Sequence, residues 1–459
     1  MSETGEKIRA EGELKRVLKL PHLVVFGIAF MTPIAPAYIF GFATEITGGM
    51  LASAYAVAMV GMMLTAKSYG KMAKAFPYAG SAYTYTQRAV NPYVGFITGW
   101  ALYLDYVLVP LINTIAGGYN MTSLLPFIPY PAWAVIVCAT ICIINYRGIK
   151  LTANTNNFLV FIMTIIVFVY LAFCLRYVAS GGGSGELLSI EPFYNSANFA
   201  PQALFAGAAM GCFSFIGFDG ITTLAEETDN PQKNIGRAAV LACFFGGTFY
   251  IIQAYITQSA WPDWKLFNDL ETAYFEVSSI VGGQPLAAAF TAAFMMSVIS
   301  SGLAGQASAA RVMYGMGRDE KIPKKFFAYV HPKFNTPTNN IIIMAGIAII
   351  GSLFLDLDFV VEMMSFGALF GFIFVNLSVI VYYYIKKKEK DVLGNLILPG
   401  LGFILCAYLW ISLANRTLII GLSWVAIGII YLAVSTKGFK KEAVIYNELD
   451  TDRTDREKE

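Results

Sequence analysis

Twelve apolar stretches, each about as long as a membrane-spanning helix, dominate this sequence. A helix needs about 20 mostly apolar residues to cross the hydrocarbon core of a bilayer. Hydrophobic residues make up 57% of the 459 residues and charged residues only 14%, whereas a soluble protein carries about 25% charged residues. The chain is therefore predicted to be an all-α polytopic membrane protein with twelve transmembrane helices. The predicted spans are residues 22–42, 50–70, 94–124, 131–146, 154–178, 202–224, 237–260, 284–313, 339–355, 359–385, 395–414 and 417–435.

The distribution of basic residues predicts how these spans are oriented. If the N-terminal tail and every even-numbered loop share one side, the other side holds only Arg176, Lys265 and Arg416 of the 32 Lys and Arg residues. Loops rich in Lys and Arg stay in the cytoplasm. Both termini are therefore predicted to be cytoplasmic, in a multi-pass protein of the cell membrane.

Two of the predicted spans contain residues that interrupt a helix. Span one carries Pro33 and Pro36, and each proline removes a helical hydrogen bond and clashes with the preceding turn. Span six carries Gly217 and Gly220 on either side of Asp219. Matching interruptions in two halves of a chain are typical of the midplane binding site of a secondary transporter. Two ordinary kinks are the alternative, since proline and glycine are common in membrane helices.

Asp105 and Asp219 are the two acids deep within the predicted spans. No Lys or Arg is comparably deep, because Lys67, Arg176 and Arg311 lie near span ends, where their long side chains can reach the interface. A carboxylate at the centre of a membrane helix costs about 2.5–3.5 kcal/mol. The pair favours a cationic substrate, a proton to be carried, or both. A purely structural hydrogen bond remains the alternative for each acid.

The broken segments also indicate the sign of the substrate's charge. Pro33 and Pro36 have no N–H groups, so the first break is a poor site for a carboxylate, which needs bare amides. The second break offers the carbonyl groups of Phe215, Ile216 and Gly217, which suit an ammonium group. We therefore expect a small organic cation, with or without a carboxylate.

Nearby aromatic and hydroxyl side chains suggest further roles. Aromatic rings can stack on a cation or act as gates, although packing is the alternative for any one of them; the candidates are Phe213, Phe215, Phe218, Tyr103 and Tyr106. Ser297, Ser300 and Ser301 of span eight could hold sodium or simply allow close helix packing. A proton is the favoured coupling ion, and Na⁺ is not excluded.

Other classes of function find little support in the sequence. There is no GxxxxGK[ST] phosphate loop, which argues against ATP-driven transport. Cys138 and Cys142 share a helix face, but only two histidines are present, so packing is preferred to metal binding. We find no nucleophile–base pair, and so we expect no enzyme, no cofactor and no metal. A net charge of +2 suggests no nucleic-acid partner.

Four motifs together resemble the amino acid–polyamine–organocation (APC) superfamily. They are "FPYAGSAYTYTQRAVNPYVGFITGW" (76–100), "SFIGFDGITTLAEETDNPQKNI" (214–235), "ARVMYGMGRDEKIP" (310–323) and "YVHPKFNTP" (329–337). Within that superfamily, "SYGK", "LDY" and "FGALFGFIFVNLSV" are similar to bacterial putrescine importers. The resemblance implies a leucine-transporter-like fold, with two inverted five-span repeats, two further helices, and the substrate held between the breaks of spans one and six.

The resemblance also implies how the chain is divided. It assigns the first repeat to residues 21–178 and the second to 202–385, joined by an extracellular loop at 179–201. Spans eleven and twelve occupy 386–435. Cytoplasmic tails are expected at 1–20 and 436–459.

The predicted site combines both lines of reasoning. The resemblance implies an acid at Asp219, an aromatic gate at Phe213 and a span-eight lining at Ser300 and Ser301, with Asp219 and Asp105 as candidates for proton coupling. The full set of predicted substrate-binding residues is Ala29, Met31, Thr32, Pro33, Asp105, Tyr106, Phe213, Phe215, Ile216, Gly217, Phe218, Asp219, Ser300 and Ser301.

The sequence departs from many of these relatives at two positions. The first break reads "FMTPIAP" where they carry Gly-x-Gly, which favours a diamine over an α-amino acid. Met163 stands where proton-coupled relatives carry a lysine, which shifts the coupling role toward the two acids. Putrescine is the first candidate substrate. An amino acid or another small metabolite is the alternative substrate, a channel or solute sensor is a less favoured function, and the oligomeric state, monomer or dimer, is left open.

Overall fold

The computed structural model describes residues 16–78, 81–267, 269–270, 272–318 and 322–439. Most of both predicted tails, 1–20 and 436–459, lies outside these residues. The regular structure in the described part is helical, apart from one short parallel bridge between Leu18 and Thr228.

Fifteen α-helices follow one another along the described chain. They are α1 (Leu20–Met31), α2 (Pro36–Thr47), α3 (Leu51–Ala75), α4 (Ser81–Ala89), α5 (Pro92–Leu124), α6 (Tyr130–Tyr146), α7 (Ile149–Ala179), α8 (Pro201–Phe213), α9 (Pro231–Ala260), α10 (Ala273–Arg318), α11 (Lys324–Phe327), α12 (Thr338–Ser352), α13 (Leu357–Val379), α14 (Leu398–Ile411) and α15 (Asn415–Ser435). Short 3₁₀ helices cover Phe218–Glu227 and Trp264–Leu266, and π-helical turns cover Ile380–Lys386 and Leu393–Ile397.

The lengths of these helices confirm a polytopic membrane protein. Within the described residues, nine helices are long and apolar enough to cross a membrane, or ten if the bent pair of α1 and α2 forms one span. Two shorter apolar helices, α6 and α12, occupy the predicted fourth and ninth spans. The total of twelve transmembrane helices remains a prediction.

Two long helices pass through the middle of the bundle. Helix α5 packs against α6, α10, α12, α13 and α15, and α10 also packs against α1, α6 and α7. Helix α10 is interrupted at Gly283, whose φ of 69° is left-handed, and Pro285 follows two residues later. The predicted eighth span, 284–313, therefore begins where the continuous part of α10 begins.

A pair of tryptophans attaches the last helix to this centre. The indole rings of Trp100 on α5 and Trp424 on α15 stack with their centroids 4.8 Å apart. Each ring nitrogen donates to the other residue's backbone carbonyl, at 2.9 and 3.0 Å. Because both donors are satisfied, the partly buried rings avoid the penalty of an unmade hydrogen bond.

Candidate functional site

The first predicted break is present between α1 and α2, which meet at an angle of 55°. Thr32 ends α1 in the left-handed region with φ of 58°, a strained conformation for a β-branched residue. The freed carbonyl groups find partners on α9. The Tyr250 hydroxyl donates to the carbonyl oxygens of Met31 (3.1 Å) and Thr32 (2.8 Å), and Gln253 Nε2 donates to that of Pro33 (3.0 Å). Side chains of α9 therefore stabilise the open turn.

The second predicted break is also present, and it begins where α8 ends at Phe213. Gly217 has φ of 116°, a conformation that favours glycine, and it leads into the 3₁₀ helix Phe218–Glu227. The ring of Phe30 packs directly against this turn. A Cβ atom on Gly217 or on Gly220 would lie 2.6 Å from that ring. The glycines are therefore required for the two broken segments to touch.

Asp219 lies fully buried at the start of this 3₁₀ helix. Its Oδ2 accepts a hydrogen bond from the hydroxyl of Tyr106 on α5. The same hydroxyl lies 3.2 Å from Ser81 Oγ on α4. Backbone amides of the turn face the carboxyl group, but Oδ1 is buried without a well-formed hydrogen bond. One carboxylate oxygen is thus held in place while the other is left for a further donor.

Asp105 is the second buried acid, one residue before Tyr106. It is 0% exposed, and neither of its carboxyl oxygens has a hydrogen-bond partner among the described residues. It interacts electrostatically with Asp219. Neither acid takes part in any of the three ion pairs found in the described part of the chain. Buried polar groups are normally hydrogen-bonded, so the carboxyl oxygens of Asp105 and Asp219 Oδ1 are exceptions to that rule.

Ser308 of α10 completes this acid cluster, which we define as Asp105, Tyr106, Asp219 and Ser308. Its Oγ is buried without a partner, and a Cβ on Gly220 would lie 3.0 Å from it. Sequence reasoning missed Ser308 and also Ser81. A signal for Ser308 was present, because residues four and seven apart share a helix face and Ser308 follows the predicted Ser301 by seven residues.

The predicted serines of span eight lie apart from the acid cluster. Ser300 Oγ donates to Asn156 Oδ1 on α7 at 3.3 Å, and Ser301 Oγ accepts from Asn113 Nδ2 on α5 at 3.3 Å. Asn113 follows Tyr106 by seven residues, which is about 10 Å along a helix. The structure therefore divides the predicted site residues into two groups.

The remaining predicted residues line the breaks or the helix contacts around them. Phe215 packs on Tyr250 with a centroid distance of 5.5 Å, and Phe218 packs on Tyr69 at 5.6 Å. Phe213, the predicted gate, is partly exposed at the end of α8. The other buried positions of the predicted site are Ala29, Met31, Thr32, Pro33, Ile216, Gly217 and Ser300. Met163, which was not part of that site, is buried as well.

Arg311 was predicted to reach the membrane interface, but its side chain is buried inside the protein. It is 2% exposed and forms an ion pair through Nε with Glu227, which is 1% exposed. Its Nη1 also donates to the carbonyl of Ala307 at 2.8 Å. The prediction that Arg311 reaches the interface is therefore wrong: a carboxylate at the end of the 3₁₀ helix provides a partner inside the protein.

The backbone of Glu227 also holds the segment that precedes α1. Its carbonyl accepts from the amides of Val17 (2.9 Å) and Leu18 (3.0 Å), and the amide of Asp229 donates back to the carbonyl of Leu18 (2.9 Å). The start of span one is therefore joined to the end of span six by main-chain hydrogen bonds.

Two other features can be placed relative to the acid cluster. A surface pocket lies beside the loops after α2 and α7, lined by Gly49, Ser189, Gln258 and Trp264 among others, and it contains none of the predicted site residues. In the described part of the chain, no group of three or more His, Cys, Asp or Glu residues could hold a metal ion.

Comparison with known proteins identifies the family. A profile of the amino acid permease family matches residues 22–441. The low-affinity putrescine importer PlaP of Escherichia coli K12 is 38% identical, with 95% of this chain and 97% of the relative covered. The branched-chain amino acid permease BcaP of Bacillus subtilis is 27% identical, with 94% and 95% covered, and the methylthioribose transporter of the same organism is 25% identical, with 85% and 87% covered. The chain is a multi-pass membrane transporter rather than an enzyme, and it belongs to the amino acid permease family of the APC superfamily.

Proposed function

We propose that this protein is a secondary active transporter that imports a small organic cation by alternating access, with putrescine as the first candidate. The observation that carries the proposal is the acid cluster, where two buried carboxyl groups have no cationic partner among the described residues. A charge buried without a partner is strongly unfavourable. A substrate ammonium group would supply the missing partner.

The relatives support the same substrate class. A putrescine importer aligns with 95% of the chain, so the aligned region spans the positions of both breaks and both acids. The alternative is an amino acid or another small metabolite, which the names of the two Bacillus subtilis relatives keep open. The contacts of the first break favour the diamine, since prolines at 33 and 36 leave few amides for an α-carboxylate.

The individual roles follow from the contacts. Asp219 Oδ1 accepts from the substrate ammonium, while the Tyr106 hydroxyl fixes Oδ2. Charge-assisted hydrogen bonds of this kind are about twice as strong as neutral ones. Phe213, which is partly exposed, is proposed as the gate. The other predicted positions on α1, the second break and α10 are proposed to line the path.

Proton coupling is the proposed energy source, with Asp219 and Asp105 as carriers. Two carboxyl groups that interact cannot both be charged without a cost, so one can hold a proton while the other pairs with the substrate cation, and proton and cation would enter the cell together. Met163 is fully buried at the position where the resemblance implies a lysine in proton-coupled relatives. No ATP-binding motif or resident cofactor is part of this proposal.

We also propose the finer architecture that the resemblance implies. The fold would be leucine-transporter-like with twelve transmembrane helices, repeats at 21–178 and 202–385, and cytoplasmic termini. Two breaks in corresponding spans, touching through Phe30, support the repeats, and the distribution of Lys and Arg supports the orientation.

Uptake of labelled putrescine into proteoliposomes tests the proposal. Asp219→Asn should reduce uptake to background with normal expression, whereas Asp263→Asn, which changes an exposed acid, should leave uptake unchanged. An inward proton gradient should stimulate the unchanged protein but not the Asp219 variant. Undiminished uptake by Asp219→Asn would refute the assigned role. Competition by an α-amino acid but not by putrescine would favour the alternative substrate.

A further inference from the structure

The loop between the predicted tenth and eleventh spans is strongly basic. It covers residues 386–391, reads "KKKEKD", and carries four lysines within five residues. All of its side chains are exposed. The loop joins the two π-helical turns Ile380–Lys386 and Leu393–Ile397. We call it the lysine loop, and the proposed transport site uses none of its residues.

The two acids of the lysine loop have partners elsewhere in the protein. Asp391 Oδ1 accepts from the amide of Gly394 at 2.8 Å, and its Oδ2 pairs with Lys71 Nζ on α3 at 3.5 Å. Glu389 Oε2 accepts from Asn395 Nδ2 at 3.3 Å. Lys71 Nζ also donates to the carbonyl of Gly394 at 2.7 Å and to Asn395 Oδ1 at 2.6 Å. These contacts attach the end of the loop to α3 and give both carboxylates partners other than the loop lysines.

The lysine side chains, by contrast, have few partners within the protein. The amide of Lys387 donates to the carbonyl of Tyr382 at 3.0 Å, so this carbonyl at the helix end is already paired. Lys387 Nζ lies 4.7 Å from the ring centre of the same tyrosine. In the described part of the chain, the ammonium groups of Lys388 and Lys390 form no hydrogen bond or ion pair. These two charges are therefore available to an anion outside the protein.

Apolar side chains flank the lysine loop on both sides. Two exposed apolar residues precede it and two follow it: Tyr384 and Ile385, then Val392 and Leu393. Exposed apolar residues of a membrane-spanning chain face lipid, and tyrosine is typical of the boundary between hydrocarbon and headgroups. The chain thus leaves and re-enters the bilayer at the two ends of the loop. This places the lysines at the depth of the lipid phosphates.

We propose that the lysine loop binds the phosphate headgroup of an anionic phospholipid, whose acyl chains lie against Ile385 and Leu393. Lys388 and Lys390 supply free positive charge, and Lys387 lies beside them. A water-soluble phosphate would lack the apolar half of this contact. Each lysine near an anionic membrane surface strengthens binding about fivefold. The inference concerns the lipid, so it does not depend on which solute the protein transports.

A local site must be distinguished from the general attraction of basic loops to an anionic leaflet. The general attraction depends on total charge, whereas a site depends on which lysines remain. Lys74, Lys150 and Lys325 are exposed, lie on three other helices, α3, α7 and α11, and belong to the same predicted cytoplasmic side. Replacing them removes three charges without changing the loop. They therefore provide a matched control.

Lipid binding to the purified full-length protein, measured by native mass spectrometry, tests the proposal. The unchanged protein should bind phosphatidylglycerol at least about tenfold more tightly than phosphatidylcholine. The loop variant, with all three substitutions, should bind the two lipids within about twofold of each other: Lys387→Gln, Lys388→Gln and Lys390→Gln. Lys386 is kept because its Nζ lies 3.5 Å from the carbonyl of Val90. The control variant should retain the preference: Lys74→Gln, Lys150→Gln and Lys325→Gln.

Two results would overturn the lipid site: an unchanged preference in the loop variant, or equal losses in both variants. Inorganic phosphate is a third probe. If it raises the unfolding midpoint of the unchanged protein but not of the loop variant, the loop binds soluble phosphate and the lipid assignment is wrong. An unchanged midpoint without lipid shows that the loop variant is folded. If it does not fold, Lys388→Gln carries the test, with a loss of preference of about fivefold. Failure of the lipid site leaves the proposed transport function intact.

Discussion

The buried ion pair between Arg311 and Glu227 allows a quantitative test of the packing at one end of the bundle. Glu227→Gln keeps the size of the side chain but removes its charge. The guanidinium group of Arg311, whose side chain is 2% exposed, then loses its charged partner. Arg311 retains its hydrogen bond to the carbonyl of Ala307. The change therefore removes the charge–charge interaction and little else.

The expected magnitude follows from this burial. Breaking a buried ion pair by removing one partner costs about 3–5 kcal/mol, because it leaves an uncompensated charge in the interior. Replacing both partners by apolar residues of similar volume is often neutral. The double variant Arg311→Met with Glu227→Leu should therefore be more stable than Glu227→Gln.

A neighbouring ion pair provides an internal control. Arg318 pairs with Glu226, and each side chain is 20% exposed. Partly solvated pairs contribute about 0–1 kcal/mol, so Glu226→Gln should cost about 1 kcal/mol or less. The free energies of unfolding should thus differ sharply between two substitutions at adjacent positions.

Denaturation of the four purified proteins in detergent measures the difference. We expect the unfolding midpoint to fall strongly for Glu227→Gln, slightly for Glu226→Gln, and partly to recover in the double variant. Equal shifts for the two single variants would refute the argument, since they would show that burial does not set the cost. A double variant less stable than Glu227→Gln would refute the assumption that uncompensated charge is responsible.

Three further changes test the contacts around the breaks and the bundle. Gly220→Ala should abolish uptake, because its Cβ would lie 2.6 Å from the ring of Phe30, whereas Gly346→Ala, with nothing within 4 Å, should transport normally. Tyr250→Phe should lower the free energy of unfolding by about 1–3 kcal/mol, since it leaves buried carbonyl groups of the first break unpaired. Denaturation should show a lower unfolding midpoint, and the uptake assay should show reduced transport. Trp424→Ala should lower the unfolding midpoint, because it removes the stacking contact with Trp100 and the hydrogen bond to its carbonyl, while the protein that remains folded still takes up substrate. An unchanged midpoint would contradict the stacking contact with α5.

The breaks were predictable from sequence because they violate the rules of membrane helices locally. Proline at 33 and 36, and glycine beside an acid at 219, are unfavourable within a span and are read from adjacent residues. The structure places both breaks as predicted. Their partners on α9, Tyr250 and Gln253, were missed because a hydrogen bond to a carbonyl more than two hundred residues away leaves no local pattern.

Long-range pairing also explains the error at Arg311. Its position near the end of a predicted span suggested that the side chain reaches the interface, which is the usual solution for a basic residue there. Its partner, Glu227, is 84 residues away, and only the packing of α10 against the 3₁₀ helix brings the two together. Likewise, the division of the predicted site into the acid cluster and the Asn113–Ser301 pair depends on helix register, which composition does not fix.

The main-chain bridge between Leu18 and the end of the 3₁₀ helix has a mechanical consequence. Its hydrogen bonds use backbone amides and carbonyls only, so the joint depends on the local conformation and not on which side chains occupy the positions. If span one tilts during transport, the second half of span six must tilt with it or these bonds must break together. Each backbone bond contributes about 0.5–1.5 kcal/mol, so the three bonds favour concerted rotation of the two broken spans.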